Sequence, residues 1–370
     1  MGKSLQDMAR PAVFELKPYV AGKPIEEVER ELGITNVIKL ASNENPIGPS
    51  SKAVAAMQEA VTKAHIYPDA NCFYLKQDLA NHTGFDLENI LVGNGSDELL
   101  KLIAETFVSP GDEVIFADPS FVEYEFVTRI MAGNCVMVGL KDFRHDLPAM
   151  LARVSDRTKI MFVCNPNNPT GSMVTQAEVE ELMSCIPEHV LMIFDEAYVE
   201  YAASPDFPDS LRFIREGRKV ITLRTFSKIY GLAGLRVGYG ITTPEIAALV
   251  SRVKEPFNVN AIAQAGARAS LADRDHVLKS RQVNAEGLEY LYTEFTKMGL
   301  YYVPTQANFV FVDTGHDSKV LFQNLLRKGV IVRSGDIFGT PTFIRVTVGT
   351  RAENERFVSA LQETLRELKV

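Results

Sequence analysis

Lys228 sits in Thr225-Phe226-Ser227-Lys228, ahead of a glycine-containing run that ends at Arg236. A lysine amine can form an imine with a carbonyl compound. The hydroxyls of Thr225 and Ser227 and the planar guanidinium of Arg236 can converge on one phosphate. Alone, Lys228 reads more simply as a solvated lysine in a polar loop. Asp195 ends the apolar run Val190–Asp195. A carboxylate at the tip of a buried strand costs free energy unless it has a partner. A protonated ring nitrogen would serve; a helix N-cap role is the plainer alternative, and the two are compatible. Tyr198 follows three residues on, so one helical turn puts it on the same side, either to donate a hydrogen bond or to fill the core. Asn168 lies in Asn165-Pro166-Asn167-Asn168-Pro169-Thr170-Gly171, where prolines fix the loop and glycine permits an unusual turn. Its amide can donate to a ligand oxygen, although an Asn-Pro turn alone is commonplace.

Two more groups join these. Gly95-Ser96-Asp97 opens a helical pattern, and the free N–H groups of a helix start attract phosphate, unless the segment is a plain cap. Phe121, after Asp118-Pro119-Ser120, can stack on an aromatic ring or belong to the core. Pyridoxal phosphate (PLP) makes four demands that such groups answer: a lysine for the imine, an acid for the pyridine nitrogen, donors for the phosphate, and donors for the phenolate oxygen. Lys228, Asp195 and Tyr198 are the catalytic candidates. Gly95, Ser96, Asp97, Phe121, Asn168, Thr225, Ser227 and Arg236 complete the cofactor set.

The elements that must position these residues alternate. Helical patterns cover Ser51–Lys63, Tyr74–His82, Ser96–Phe107, Val122–Met131, Leu147–Val154 and Thr175–Cys185. Strand patterns fall at Ile90–Gly93, Glu113–Ala117, Cys135–Val138, Lys159–Cys164, Val190–Asp195, Lys219–Arg224 and Arg236–Gly240. Apolar strands alternating with helices predict a mainly parallel sheet covered on both faces. Ligands of such sheets bind beyond the carboxyl ends of the strands, where the runs at 93–97, 165–171 and 195–198 fall. Past residue 255 the texture changes to α+β. A long helix spans Asp273–Met298, followed by strand Asn308–Asp313, helix Ser318–Lys328, strands Val330–Arg333 and Phe343–Val348, and a last helix from Ala352. The expected division is an arm at 1–35 with a short helix near Ile25–Leu32, a large domain at 36–258 and a small domain at 259–370.

A chain of 370 residues with 46% hydrophobic and 23% charged residues suits such a two-domain globular protein. The net charge of −8 is spread without a basic block, which argues against nucleic-acid binding. Cys72, Cys135, Cys164 and Cys185 form no CxxC pair, so reduced thiols in a cytoplasmic protein are expected and metal is not. No stretch approaches the ~20 apolar residues of a membrane span, and the first residues lack a secretory h-region.

In this order and spacing the motifs resemble those of the fold-type-I, aspartate-aminotransferase-like PLP enzymes over nearly the whole chain. The resemblance implies a seven-stranded, mostly parallel sheet in the large domain and a smaller α+β domain. Further runs are similar to those of the histidinol-phosphate aminotransferase family: Leu16-Lys17-Pro18-Tyr19, Ala41-Ser42-Asn43-Glu44-Asn45-Pro46, Tyr67-Pro68, Glu255–Asn260 and Arg345–Thr350. That similarity implies transfer of an amino group between L-glutamate and imidazole-acetol phosphate, giving L-histidinol phosphate in histidine biosynthesis. It implies Tyr19, Asn43, Arg333 and Arg345 as substrate-binding residues, Arg345 for the substrate anion; Arg333 reads about as well as a surface ion pair. It implies that Tyr67, otherwise a loop aromatic, reaches the phosphate of a neighbouring subunit in a homodimer. An aromatic-amino-acid transaminase and a PLP-dependent decarboxylase share most of these motifs. A PLP-sensing regulator would carry a DNA-binding module, for which no basic segment is seen.

Overall fold

The computed structural model describes residues 4–16 and 22–368. Tyr19 lies outside them. The strands in chain order are β1 (Ile38–Lys39), β2 (Ile90–Gly93), β3 (Glu113–Asp118), β4 (Asn134–Gly139), β5 (Thr158–Cys164), β6 (Leu191–Asp195), β7 (Val220–Thr225), β8 (Gly238–Thr242), β9 (Tyr301–Val303), β10 (Phe309–Asp313), β11 (Val330–Ile331), β12 (Arg333–Ser334) and β13 (Phe343–Thr347). Seven form one sheet in the order β2-β8-β7-β6-β5-β3-β4. The pairs from β7 through β4 are parallel, and β8 runs antiparallel to both neighbours. The expected seven-stranded, mostly parallel α/β sheet is therefore present.

Strand periodicity of two explains the layering. Along β5 and β6, Met161, Val163, Met192 and Phe194 face one core, while Ile160, Phe162, Leu191 and Ile193 face the other. Helices Phe73–Thr83, Gln176–Cys185 and Ala261–Leu271 cover the first face through Leu79, Leu182, Ala263 and Ala267. Helices Gly95–Phe107, Glu123–Ile130 and Pro244–Val250 cover the second through Leu99, Ile103, Val127 and Val250. Both faces are dry, so β5 and β6 read as continuous apolar runs.

A second, antiparallel sheet has the order β12-β13-β10-β9. Helices Arg274–Met298, Ser318–Arg327 and Arg351–Glu367 pack on one side of it, burying Val310, Val312, Ile344 and Val346 against Leu291, Leu321, Phe357 and Leu361. On its other side Phe309 joins Tyr198, and Phe311 and Phe343 join Phe143. The helix Ile25–Leu32 buries Val28 with Val37, Leu326 and Ile331, and β1 pairs in parallel with β11.

Several boundaries differ from the sequence expectation. Val330–Arg333, expected as one strand, divides at Val332 between two sheets, which leaves Arg333 in register with Arg345. The strand expected from Arg236 begins at Gly238, and Arg236 itself has a left-handed φ of 55°. The helix expected at Leu147–Val154 stops at Leu151. Helix Ala261–Leu271 had no expectation, because its alanine-rich sequence gives a weak apolar stripe. Gly238 shows what joins sheet and helix: a Cβ there would lie 2.5 Å from the Ser96 nitrogen. Gly238→Ala is therefore expected to destabilise the fold by about 1–3 kcal/mol. Thermal unfolding checks this, and an unchanged midpoint would mean that β8 and the helix start tolerate separation.

Candidate active site

A cavity of about 280 Å³ opens at the carboxyl ends of β5, β6 and β7. Its walls contain Ser96, Asp97, Phe121, Asn168, Asp195, Tyr198, Thr225, Ser227, Lys228 and Arg236, together with Asn43, Arg333 and Arg345. A larger, open depression of about 790 Å³ lies among helices Ser51–Val61, Phe73–Thr83 and Ala261–Leu271, but it holds none of the sequence candidates.

Asp195 is 3% exposed at the end of β6. Its Oδ2 accepts a hydrogen bond from the Tyr124 hydroxyl at 2.7 Å, and its Oδ1 accepts from the Ala197 N–H at 3.3 Å. Burial, the dominant cause, pushes the carboxyl up to about 6; the Tyr124 hydroxyl opposes this. A cationic ring nitrogen would favour the ionised form.

Lys228 enters the cavity with its Nζ 3.3 Å from the Ser42 carbonyl, to which it donates, and 5.6 Å from the centre of the Tyr198 ring. Burial first, then the Arg345 guanidinium, lowers the amine to about 8. A substantial fraction is then neutral just above neutral pH, the state a nucleophilic or basic amine requires. The Tyr198 hydroxyl accepts from Asn43 Nδ2 at 2.9 Å, which leaves its own proton to donate. Asn43 is fixed by Thr347, whose Oγ1 accepts from the Asn43 N–H at 2.9 Å and donates to Asn43 Oδ1 at 3.1 Å.

One end of the cavity is built for an anion. The helix Gly95–Phe107 starts without a side-chain cap, so its first N–H groups are not taken up by one. Gly95 has φ 83°, and a Cβ there would meet Arg236 Nη2 at 2.7 Å. Ser227 Oγ accepts from Thr225 Oγ1 at 3.0 Å and from Arg236 Nη1 at 3.5 Å. Arg236 Nη2 also pairs with Asp97 Oδ2 at 2.8 Å. Asp97 thus meets the cluster through its carboxylate as well as standing in the first helical turn.

The other end is cationic. Arg345 is 7% exposed, donates to the Ala41 carbonyl at 2.7 Å and to Asn168 Oδ1, and stacks near Phe309 and Phe338. With Oδ1 engaged, Asn168 turns its amide N–H₂ elsewhere. Half-buried Arg333 lies beside Arg345 across the β12–β13 ladder.

Tyr67 is not brought into this cavity. It is 79% exposed and stacks on Phe257 with ring centres 4.6 Å apart. The structure also adds residues that the sequence reading missed. Tyr124 holds Asp195, and its one signal was a place three residues after Phe121. Asn167 clasps two loops: its Oδ1 accepts from Ser120 at 2.8 Å, and its Nδ2 donates to the Pro119 carbonyl at 3.2 Å and to Thr170 at 3.0 Å. Nothing in a single polar loop residue announces such a clasp.

PLP fits this donor set. Hydroxyls, a guanidinium and a helix start suit a phosphate, a buried acid suits a ring nitrogen, and a buried amine suits an aldehyde. The family model for aminotransferase class I and II matches residues 35–361. The histidinol-phosphate aminotransferase of Moorella thermoacetica is 57% identical over 96% of this chain and 92% of its own length. Histidinol-phosphate aminotransferase 2 of Carboxydothermus hydrogenoformans is 48% identical over 97% of this chain and 99% of its own. The crystal structure of histidinol-phosphate aminotransferase from Sinorhizobium meliloti, in complex with pyridoxal-5'-phosphate, matches with a TM-score of 0.89 at 31% identity, covering 97% of each chain. The chain belongs to the class I and II aminotransferases, PLP-dependent transferases of fold type I, and within them to the histidinol-phosphate aminotransferase family.

Proposed function

We propose that this chain exchanges an amino group between L-glutamate and imidazole-acetol phosphate, yielding 2-oxoglutarate and L-histidinol phosphate in histidine biosynthesis. The observation that carries this reading is the near full-length 57% identity to a protein of that name. The arginine pair supports it physically. One substrate carries a carboxylate beside its amine and the other a phosphate ester, and Arg333 and Arg345 at one cavity wall can meet either anion.

In this reading Thr225, Ser227, Arg236 and the helix start at Gly95, Ser96 and Asp97 hold the cofactor phosphate. Phe121 lines the ring's face. Asp195 keeps the ring nitrogen protonated, while Tyr198 and the amide of Asn168 donate to the phenolate oxygen. When bound, PLP supplies an aldehyde that condenses with amines and a ring that accepts the electrons released at the substrate carbon. Lys228 would hold the cofactor through its Nζ, and that amine, when free, would take the proton from the substrate α-carbon. Asn43 orients Tyr198 and borders the substrate, with Tyr19 as a further substrate-binding residue. Both half-reactions use one site, so the kinetics are ping-pong.

The small unit on the four-stranded sheet carries the arginines, and the large unit carries the cofactor residues. A second copy of the chain is proposed to cover the outward patch of Ile66, Tyr67 and Phe257 and to receive Tyr67 at its phosphate site. Free thiols at all four cysteines suit a cytoplasmic location. Among the described residues no helix is long and apolar enough to cross a membrane.

Lys228→Ala is expected to lower turnover by at least about a thousandfold and to remove the visible absorption of the lysine-bound cofactor. Retention of both would remove Lys228 from its role. With 2-oxoglutarate as the amino acceptor, histidinol phosphate should be turned over far faster than phenylalanine. Faster phenylalanine turnover would instead assign an aromatic transaminase.

Asp195 gives a pH prediction for the protein stripped of PLP. Its carboxyl lies at about 6 when folded and near 3.8 ordinarily. Between these values the folded chain keeps a proton that the unfolded chain releases, so the Asp195 contribution to stability falls as pH rises through this window and stays low above it. The stripped Asp195→Asn variant should therefore be more stable than wild type at pH 8 by about 1–3 kcal/mol, with the gain shrinking toward pH 4. Denaturant melts at both pH values test this, and equal stability at pH 8 would contradict it.

A further inference from the structure

Tyr124 lies within the second core rather than in the cavity wall. It is fully buried, its ring stacks on Phe162 with centres 4.5 Å apart and 10° between planes, and it meets Phe121 edge-on at 5.8 Å. Its hydroxyl nevertheless emerges beside the site, 2.7 Å from Asp195 Oδ2. Other groups near Asp195 work against its ionised form: after burial itself, Asp97 from the helix Gly95–Phe107 and Glu196 next to it along the chain both push the carboxyl up. The Cys164 thiol on β5 neighbours both Asp195 and Tyr124 and is itself pushed up to about 12 by burial. Among the described residues two donors face the carboxylate, the Ala197 N–H at 3.3 Å and this hydroxyl, and the hydroxyl makes the shorter contact.

We propose that Tyr124 is a positioning residue for the reaction: its hydroxyl holds the Asp195 carboxylate ionised and aimed, while the same ring sets Phe121 against the cofactor space. The one turn that enters the helix Glu123–Ile130 thereby fixes both the aromatic wall and the acid. Phe121 precedes this helix, and the Tyr124 N–H donates to the Phe121 carbonyl at 3.2 Å, so the turn entering the helix brings the two rings together. The stack on Phe162 leaves the ring little freedom to rotate, so the hydroxyl is delivered at a fixed place. A hydrogen bond to a charged acceptor held this way is stronger than one between neutral groups. This proposal rests on the assignment of Asp195 to the ring nitrogen.

The test is a double-mutant cycle on the PLP-loaded enzyme with Tyr124→Phe and Asp195→Asn. Tyr124→Phe keeps the ring stack and removes only the hydroxyl. It is expected to lower kcat roughly ten- to a hundredfold, the scale of one hydrogen bond to a charged group, with KM for the amino donor within about twofold. In the Asp195→Asn background the same change should alter kcat less than about twofold, because the charge it serves is gone. Phe162→Leu, which loosens the stack but keeps the hydroxyl, should lower kcat less than Tyr124→Phe does. The proposal is overturned by a kcat for Tyr124→Phe within twofold of wild type, by an equal loss in both backgrounds, or by an equal loss in Phe162→Leu. If Asp195→Asn alone left kcat intact, the assignment of Asp195 would fail instead.

Discussion

A carboxylate buried at the end of a central strand constrains much of this molecule. Asp195 is carried by β6, which has parallel neighbours on both sides, so water cannot reach it from the sheet edges. An ionised acid there is unfavourable unless donors and a cation meet it. The chain supplies the Tyr124 hydroxyl and the Ala197 N–H, and in the proposed function a bound ligand supplies the cation. The fold thus stores an unfavourable charge at the place where a protonated ring would relieve it. Binding to the native state alone then adds stability, which couples cofactor retention to folding.

The same economy of placement appears on the opposite side of the strand end. Glu196 points away from Asp195 into a second buried polar group, where its Oε2 pairs with Arg224 at 2.8 Å and its carboxylate also accepts from Ser210. Arg224 precedes Thr225 of the proposed phosphate site. Alternation along β6 and β7 therefore puts ligand-facing groups on one face and an ion pair on the other. A buried ion pair adds little net stability, but its geometry is demanding and fixes the relation of the two strand ends.

The second sheet completes the cavity. Arg345 comes from β13, reaches back to the Ala41 carbonyl and Asn168, and lies near enough to depress Lys228. Its neighbour Arg333 is delivered because the chain changes sheets at Val332. Lys228 is thus acidified by burial and by a cation that also suits a substrate anion, so the groups proposed for binding and for proton transfer are electrostatically coupled.

Much of this was legible in the sequence because the signals are local. Apolar runs ending in Asp195, the turn residues around Asn168 and the serine–lysine–arginine spacing after β7 each reflect a strand, a loop or a helix start whose geometry a few residues dictate. The parallel sheet followed from the alternation of those elements. What the tertiary structure decided depends on contacts between segments far apart in the chain. Tyr124 meets Asp195 across 71 positions, Asn168 meets Arg345 across 177, and Thr347 fixes Asn43 across 304. The division of Val330–Arg333 between two sheets, the left-handed turn at Arg236 and the outward face of Tyr67 are of the same kind. Each is set by which surfaces pack together, and periodicity within one segment carries no information about its distant partner.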